Sequence, residues 1–447
     1  MFPLSKETLD SCMKSMMIPN LSCATIRQIS VLADHLEEHA NEPMVHLEIG
    51  NPGLPAEEIG INAHCEALHS GVARMYPNVA GIPSLKKNAS EFIKAFLDID
   101  VPAETIVPTV GSMQGCFTLE LLLNQRLKER DTILFINPGF PAQRHQAKVL
   151  GIRQQSFDIY NYRGEALRDK LEEELSTGRV TAMIYSNPNN PAWFNLTAEE
   201  LRIIGEVATR HDVIVLEDLA YMGMDFRTDF SHPFEAPYIP SVAKYTDNYI
   251  LMLSGSKIFS YAGERIAVVC MSDKVYHRCY ETLDKFYDMP AFGDAYVFGV
   301  LYVASSGVSH SAQHALAAMF KAATEGKLPF VEHCREYGRR AELARKIFTD
   351  NGFHLVYAYD GDREISNGFF FTVGYPGLSS EELQCELLRY GAASISLPST
   401  GSEQDGVRVT VSNLSRPEQF QQLRERLSAF RADHPVKSST PAASATV

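Results

Sequence analysis

Short apolar runs, each closed by turn residues, recur through the middle of the chain with helix-like stretches between them. Ile133–Ile136 ends at Asn137-Pro138-Gly139, Ala182–Tyr185 at Ser186-Asn187-Pro188, Val213–Leu216 at Glu217-Asp218, and Tyr249–Leu253 at Ser254. These runs are rich in β-branched or bulky side chains, the pattern of strands buried on both faces. Thr197-Ala198-Glu199-Glu200 opens one intervening stretch with a capping-box pattern, and a helix is predicted over Cys116–Arg126. Strands alternating with helices predict an α/β fold: a mostly parallel sheet flanked by helices on both faces. The last third reads as a smaller α+β unit. It has a helix over Phe330–Asp350, a strand over Gly368–Val373, a helix over Ser379–Tyr390, a strand over Val407–Val411 and a helix over Pro417–Arg431. The predicted organisation is an N-terminal arm joined to the smaller unit (1–45), a large domain (46–310), a small C-terminal domain (311–432) and a disordered tail rich in Ser, Ala and Pro (433–447).

Composition narrows the function. The 447 residues carry a formal charge of −14, which argues against nucleic acid or an anionic membrane as a main partner. No apolar run is long enough to span a bilayer and no secretory signal is read at the N-terminus, so a cytoplasmic location is expected. The eight cysteines include no Cys-x-x-Cys pair, and the 14 histidines show no ligand spacing, so neither a metal site nor a disulfide scaffold is expected.

In α/β sheets ligands bind beyond the carboxyl ends of the strands, where Asn190, Asp218 and Lys257 fall. Lys257 lies in Ser254-Gly255-Ser256-Lys257, after one apolar run and before another, Ile266–Cys270, with Arg265 between. A lysine between buried strands is costly unless neutral or paired. Two hydroxyls and an arginine beside an amine that can form a Schiff base point to pyridoxal phosphate. That cofactor needs a buried carboxylate for its ring nitrogen, and Asp218 closes a strand where it could serve as this or as a turn former. Asn190 and Tyr221 are candidates for the ring oxygen. The loop Gly111-Ser112-Met113 precedes a helix and is a candidate phosphate site. Phe140 lies just past a strand end as a ring-stacking aromatic. Arg408, between Val407 and Val409, faces either solvent or a bound anion.

Together these motifs resemble the class I/II aminotransferases, the fold-type-I enzymes dependent on pyridoxal phosphate, from about Glu48 to about Arg416. The resemblance implies a transaminase that moves an amino group between an α-amino acid and a 2-oxo acid through a Lys257 Schiff base. It assigns Gly50 in Glu48-Ile49-Gly50-Asn51-Pro52 to backbone contact with substrate, and Gly111, Ser112, Met113, Ser254, Ser256 and Arg265 to the phosphate. It gives Phe140 to the ring face, Asn190 and Tyr221 to the ring oxygen, Asp218 to the ring nitrogen, and Arg408 (with Asn190) to the substrate carboxylate. Tyr76 would reach the phosphate of a partner subunit, implying a homodimer. Two departures stand out: Ala192-Trp193 follows Asn190-Pro191 where the family has Thr-Gly, and Ala267 stands where Gly often occurs. The same site can serve a carbon–sulfur β-lyase, which is the alternative activity. Regulatory relatives carry a fused DNA-binding domain, for which the roughly 45 residues ahead of the matched region leave no expected room. The substrate side chain stays open. Arg74, Arg144 and Arg278 are conceivable second cations, and Tyr287, Phe292 and Tyr296 either line a pocket or pack in the core.

Overall fold

The computed structural model describes residues 1–436. The central sheet has seven strands: β1 (Ile106–Val110), β2 (Thr132–Asn137), β3 (Arg153–Asp158), β4 (Val180–Ser186), β5 (Ile214–Asp218), β6 (Tyr249–Ser254) and β7 (Ile266–Met271). Their order is β1-β7-β6-β5-β4-β2-β3. All run parallel except β7, which is antiparallel to both neighbours. The link from β6 to β7, residues 255–265, is too short for a parallel crossover, so the chain must turn back. That link carries Lys257 and Arg265. Alternate side chains of the strands feed two apolar layers. Leu134, Ile136, Leu251 and Leu253 enter one layer, and Ile133, Phe135, Ile250 and Met252 the other.

The helices used below are α1 (Ile26–Ala40), α2 (Gly111–Gln125), α3 (Pro141–Val149), α4 (Ala198–His211), α5 (His310–Thr324), α6 (Phe330–Asp350), α7 (Ser380–Arg389) and α8 (Pro417–Asp433). Thr197 caps α4 with the reciprocal Glu200 bond its sequence predicts. α2 begins at Gly111, five residues ahead of the predicted start at Cys116, because Gly111 adopts φ +65° and turns the chain straight from β1 into the helix. α5 packs against helices Glu58–His69 and Pro83–Leu97. Its alanine-rich face lets those helices approach closely.

The second sheet has four strands: β8 (His354–Leu355), β9 (Phe370–Gly374), β10 (Ile395–Ser396) and β11 (Val407–Thr410), antiparallel in the order β10-β11-β9-β8. The N-terminal arm packs on this unit, with Leu9, Leu32 and Leu36 clustered against Leu388, Ala393 and Ile395. Residues 437–447 of the expected tail lie outside the described residues. Among the described residues no helix is long and apolar enough to cross a membrane.

Polar contacts dock the second sheet over the carboxyl ends of the first. Asp158, closing β3, accepts from the Tyr357 hydroxyl at 2.6 Å and the Glu403 amide at 2.8 Å. The Gly139 amide donates to Thr400 O at 2.9 Å. Trp193 fills the space behind, fully buried with φ +66°, its indole N–H bonded to Ser366 Oγ at 3.1 Å. Gly368, at the approach to β9, lies flat against that indole, where any Cβ would overlap it. Gly368→Ala should therefore cost about 1–3 kcal/mol by overpacking and lower the thermal unfolding midpoint. Adding Trp193→Phe should recover part of the loss, and an unchanged midpoint in Gly368→Ala would refute this packing.

Candidate active site

Strand register sets the first half of the site. Val110 pairs with Ile266, and Ala267 with Ser254, so the ends of β1, β7 and β6 lie side by side. Gly111, Arg265 and Ser254 follow in one row. The Arg265 guanidinium lies where a Cβ on Gly111 would stand, so only glycine leaves it that seat. Arg265 donates to Ala262 O at 2.9 Å, which holds it over the start of α2. The N-terminal amides of α2 are free of intrahelical partners, and the Ser112 Oγ beside them is buried without a partner. Ser254 Oγ accepts from the Ser256 amide at 3.1 Å and donates to Ser256 Oγ at 2.8 Å. Met113 contributes backbone alone, its carbonyl accepting from Gln146 Nε2 at 2.8 Å.

Lys257 rises from the one-turn helix Gly255–Ile258. Its amine donates to Gly50 O and sits 5.3 Å from the centre of the Phe369 ring. Burial, then the positive charges of Arg408, Arg265 and Arg27, push the amine down to about 7. At neutral pH it therefore spends much of its time as a nucleophile and base.

Asp218, the last residue of β5, pairs in register with Ser186 on one side and Met252 on the other. It accepts from Gln143 Nε2 at 3.0 Å and from the Ala220 amide at 3.1 Å. Burial raises it to about 6, and those two bonds oppose the rise. Gln143 stands one turn into α3, whose N-cap is the half-buried Phe140. Sequence reading missed Gln143. The available signal was its spacing of three from Phe140, which puts both on one side of the helix that begins at Pro141.

Arg408 lies on β11 opposite Thr372 and is only 1% exposed, which settles its alternatives against solvent. It donates to Asn190 Oδ1 at 3.3 Å and to Glu48 O, and it stacks on Phe370 at 4.8 Å, while its Nε has no partner. Burial pushes it down to about 10. Asn190 is fixed by its own amide, which donates to Ser186 Oγ at 3.0 Å. The buried Tyr221 ring packs on Trp193, Phe369 and Phe370 at centroid separations of 5.5, 5.3 and 5.3 Å. Glu48, also missed, is fully buried and accepts from His46 Nδ1 at 2.9 Å. That bond raises His46.

The structure thus gathers Lys257, Asp218, Tyr221, Asn190, Arg265, Arg408, Gly50, Phe140 and the α2 start at one rim. Tyr76 stands apart and is 90% exposed. Phe292 and Tyr296 fall in the core behind the sheet, with the half-buried Tyr287 packed against that core and the Tyr296 hydroxyl 3.1 Å from Thr118 Oγ1, away from the rim that carries Lys257. Arg278 pairs with Asp212 at 2.5 and 2.8 Å, beyond the amino end of β5 and so at the opposite rim.

The donor set suits pyridoxal phosphate. Helix amides, three hydroxyls and an unencumbered guanidinium fit a phosphate ester. A near-neutral amine suits an aldehyde, and a buried ionisable carboxylate suits a ring nitrogen. Arg408, whose Nε lacks a partner, suits a carboxylate.

The chain matches the model of the family described as aminotransferase class I and II over residues 42–427. It is 27% identical over 235 residues to the aspartate aminotransferase of Pyrococcus horikoshii, covering 52% of this chain and 57%, just over half, of that relative. It is 23% identical over 343 residues to the (5-formylfuran-3-yl)methyl phosphate transaminase of Methanocaldococcus jannaschii, covering 77% of this chain and 81% of that one. The aspartate aminotransferase of Thermus thermophilus with maleate shares the fold at a TM-score of 0.73, with 20% identity over 91% of this chain and 96% of that one. The chain therefore belongs to the aminotransferase class I and II family, whose enzymes depend on pyridoxal phosphate.

Proposed function

We propose that this protein is a transaminase exchanging an amino group between an α-amino acid and a 2-oxo acid, with Lys257 as the residue that holds pyridoxal phosphate covalently. The observation that carries the reading is the convergence of a near-neutral Lys257 with Asp218, Arg265 and Arg408 on one rim of the sheet.

The bound cofactor supplies an aldehyde for amines and a protonated ring that takes up negative charge from the substrate Cα. Arg265, Ser254, Ser256, Ser112 and the first amides of α2 hold its phosphate. Asp218, kept in place by Gln143 and the Ala220 amide, pairs with the ring nitrogen and keeps it protonated. Asn190 and Tyr221 meet the ring oxygen, and Phe140 covers one ring face. Arg408 grips the substrate α-carboxylate, and Asn190 fixes the plane of that guanidinium. Lys257, freed when substrate takes its place, would be the base that removes the proton from the substrate Cα and carries it during the transfer. An amine close to neutral is matched to that task. The Gly50 carbonyl orients it, and the aromatic wall of Phe369, Phe370 and Tyr221 excludes water. A homodimer is part of the reading, supported by the exposed Tyr76 ring, which would reach the neighbouring site.

Three outcomes test this. Lys257→Ala should abolish transamination, measured as 2-oxo-acid-dependent amino transfer, and retained turnover would overturn the proposal. So would release of pyruvate and ammonia without a 2-oxo acceptor, the signature of a β-lyase. Covalent uptake of pyridoxal phosphate by cofactor-stripped protein requires the neutral amine. Its rate, followed by absorbance, should therefore rise with pH through a midpoint near 7 and then level off, rather than near the 10.5 of an ordinary lysine. Arg408→Gln should raise KM for amino-acid donors by about 10- to 100-fold, the worth of a charge-assisted fork, with a smaller change in kcat. Unchanged saturation would remove Arg408 from substrate binding.

A further inference from the structure

The backbone ladder that leads toward Gly50 stops at Leu47. The strand Val45–His46 runs parallel to Ala392–Ala393, the Leu47 amide donates to Ala393 O at 3.0 Å, and Leu47 O accepts from the Thr410 amide at 2.9 Å. Among the described residues no backbone–backbone bond then holds Glu48, Ile49 or Gly50. Yet the Glu48 carbonyl accepts from Arg408 and the Gly50 carbonyl from Lys257. Two acceptors of the site therefore stand on a bend that side chains must fix.

Two side chains do so. Asn413, beyond the end of β11, donates to His46 O at 3.3 Å and to Ile49 O at 3.4 Å. Glu48 ties the bend back to the strand, its Oε1 accepting from His46 Nδ1 at 2.9 Å. That carboxyl group is fully buried, and its Oε2 has no partner. A leucine would fill similar space without leaving a polar atom bare, so what the carboxylate adds is its bond to His46. The surroundings of His46 favour a proton on its ring. Asp34 and Glu37 of α1 lie 3.9 and 3.7 Å from its Nε2, and Glu37 also accepts from the Met44 amide at 2.8 Å. From α8, packed on the same strand, Arg426 is taken by Glu42 at 3.0 Å, and the paired strand Ala392–Ala393 brings no charge. The bond from Glu48 raises His46, and burial opposes the rise.

We propose that Glu48 is a positioning residue: its bond to protonated His46 clamps the bend, aims the Glu48 carbonyl at Arg408, and so sets how firmly Arg408 holds the substrate α-carboxylate. The proposal rests on the transaminase reading, which gives Arg408 that task. Side chain and carbonyl belong to one residue, so holding the first restrains the second, and a misplacement of about 1 Å is costly at such a site. The carboxylate faces His46 rather than the guanidinium, so it steers Arg408 without occupying the place of the substrate anion. The N-terminal arm, through Asp34 and Glu37, thereby helps to set substrate binding without touching substrate.

The test compares native holoenzyme with Glu48→Gln, which keeps an acceptor without the charge, and Glu48→Leu, which removes both. KM for the amino-acid donor should rise about 3- to 10-fold in Glu48→Gln and about 10- to 100-fold in Glu48→Leu, with a smaller change in kcat. Propionate carries only the carboxylate that Arg408 takes. Its binding, read by calorimetry without turnover, should weaken in the same order. In a proton NMR titration the His46 ring, assigned by its loss in His46→Gln, should titrate above an ordinary histidine in the native enzyme and fall back toward one in Glu48→Gln. Because His46 is raised in the folded state, the clamp is complete while the ring is protonated and is lost as pH rises through the raised value. The excess thermal stability of native enzyme over Glu48→Gln should narrow over that interval. Unchanged KM in Glu48→Gln with amino transfer intact would overturn the proposal, as would a kcat loss as large as the rise in KM, or a His46 titration that Glu48→Gln leaves in place. Should no donor turn over, propionate binding that weakens in Glu48→Gln would uphold the clamp while the transaminase reading fails.

Discussion

Holding an amine in a low-dielectric site beside guanidinium groups is the constraint on which the rest of this structure depends. Water would keep Lys257 protonated. Burial and the charges of Arg408 and Arg265 together work against that proton, and the amine falls to about 7. The arrangement is unfavourable for the folded chain by itself. It persists because each cation is braced by carbonyl oxygens: Gly50 O for Lys257, Glu48 O for Arg408 and Ala262 O for Arg265. These are acceptors without full negative charge. They orient the cations and leave their charge available to anions, which a carboxylate in the same place would neutralise.

The scaffold supplies this bracing through strand register rather than through flexible loops. The reversal of β7 is the decisive step. A parallel crossover between β6 and β7 would separate Lys257 from Arg265 by a whole helix. The antiparallel return keeps both in one short link and lays Gly111 beside Arg265. On the other flank, β2 and β4 are neighbours while the chain leaves them in opposite directions, β2 toward the edge strand β3 and β4 toward β5. The loops after them diverge, and Phe140 and Asn190 enter through the gap.

Much of this was legible in the chain because the signals are local. The α6 helix keeps its predicted bounds, Phe330–Asp350, because one amphipathic stripe runs its whole length. Asp218 and Lys257 announce themselves as charges at the ends of buried runs. The direction of β7 was not read, since an apolar run buried on both faces carries no polarity. The length of its connection was the usable clue. Gln143 and Glu48 were missed because nothing in their own neighbourhoods marks them. Gln143 acquires its role from Asp218, 75 positions away in sequence, and Glu48 from Arg408, 360 positions away. Arg408 itself was legible only as a choice between solvent and anion, since burial of its strand depends on β9 and β10 pairing on either side.

The departure at Ala192-Trp193 has a structural account that also bears on chemistry. A residue with φ +66° is ordinarily glycine, and here it is the largest side chain available. The left-handed backbone aims the indole inward, where Gly368 gives it a seat and Ser366 takes its N–H. The indole edge then meets both Tyr221 and Phe370. Phe370 is the ring on which Arg408 stacks, and Tyr221 packs against Phe369, over which Lys257 lies. Trp193 is therefore the rear wall of the chamber and touches neither cation directly. It fixes the two aromatic faces that do. The bulk of Trp193 is accommodated by the missing side chain of Gly368, just ahead of β9, so the charged groups lie one layer in front of it.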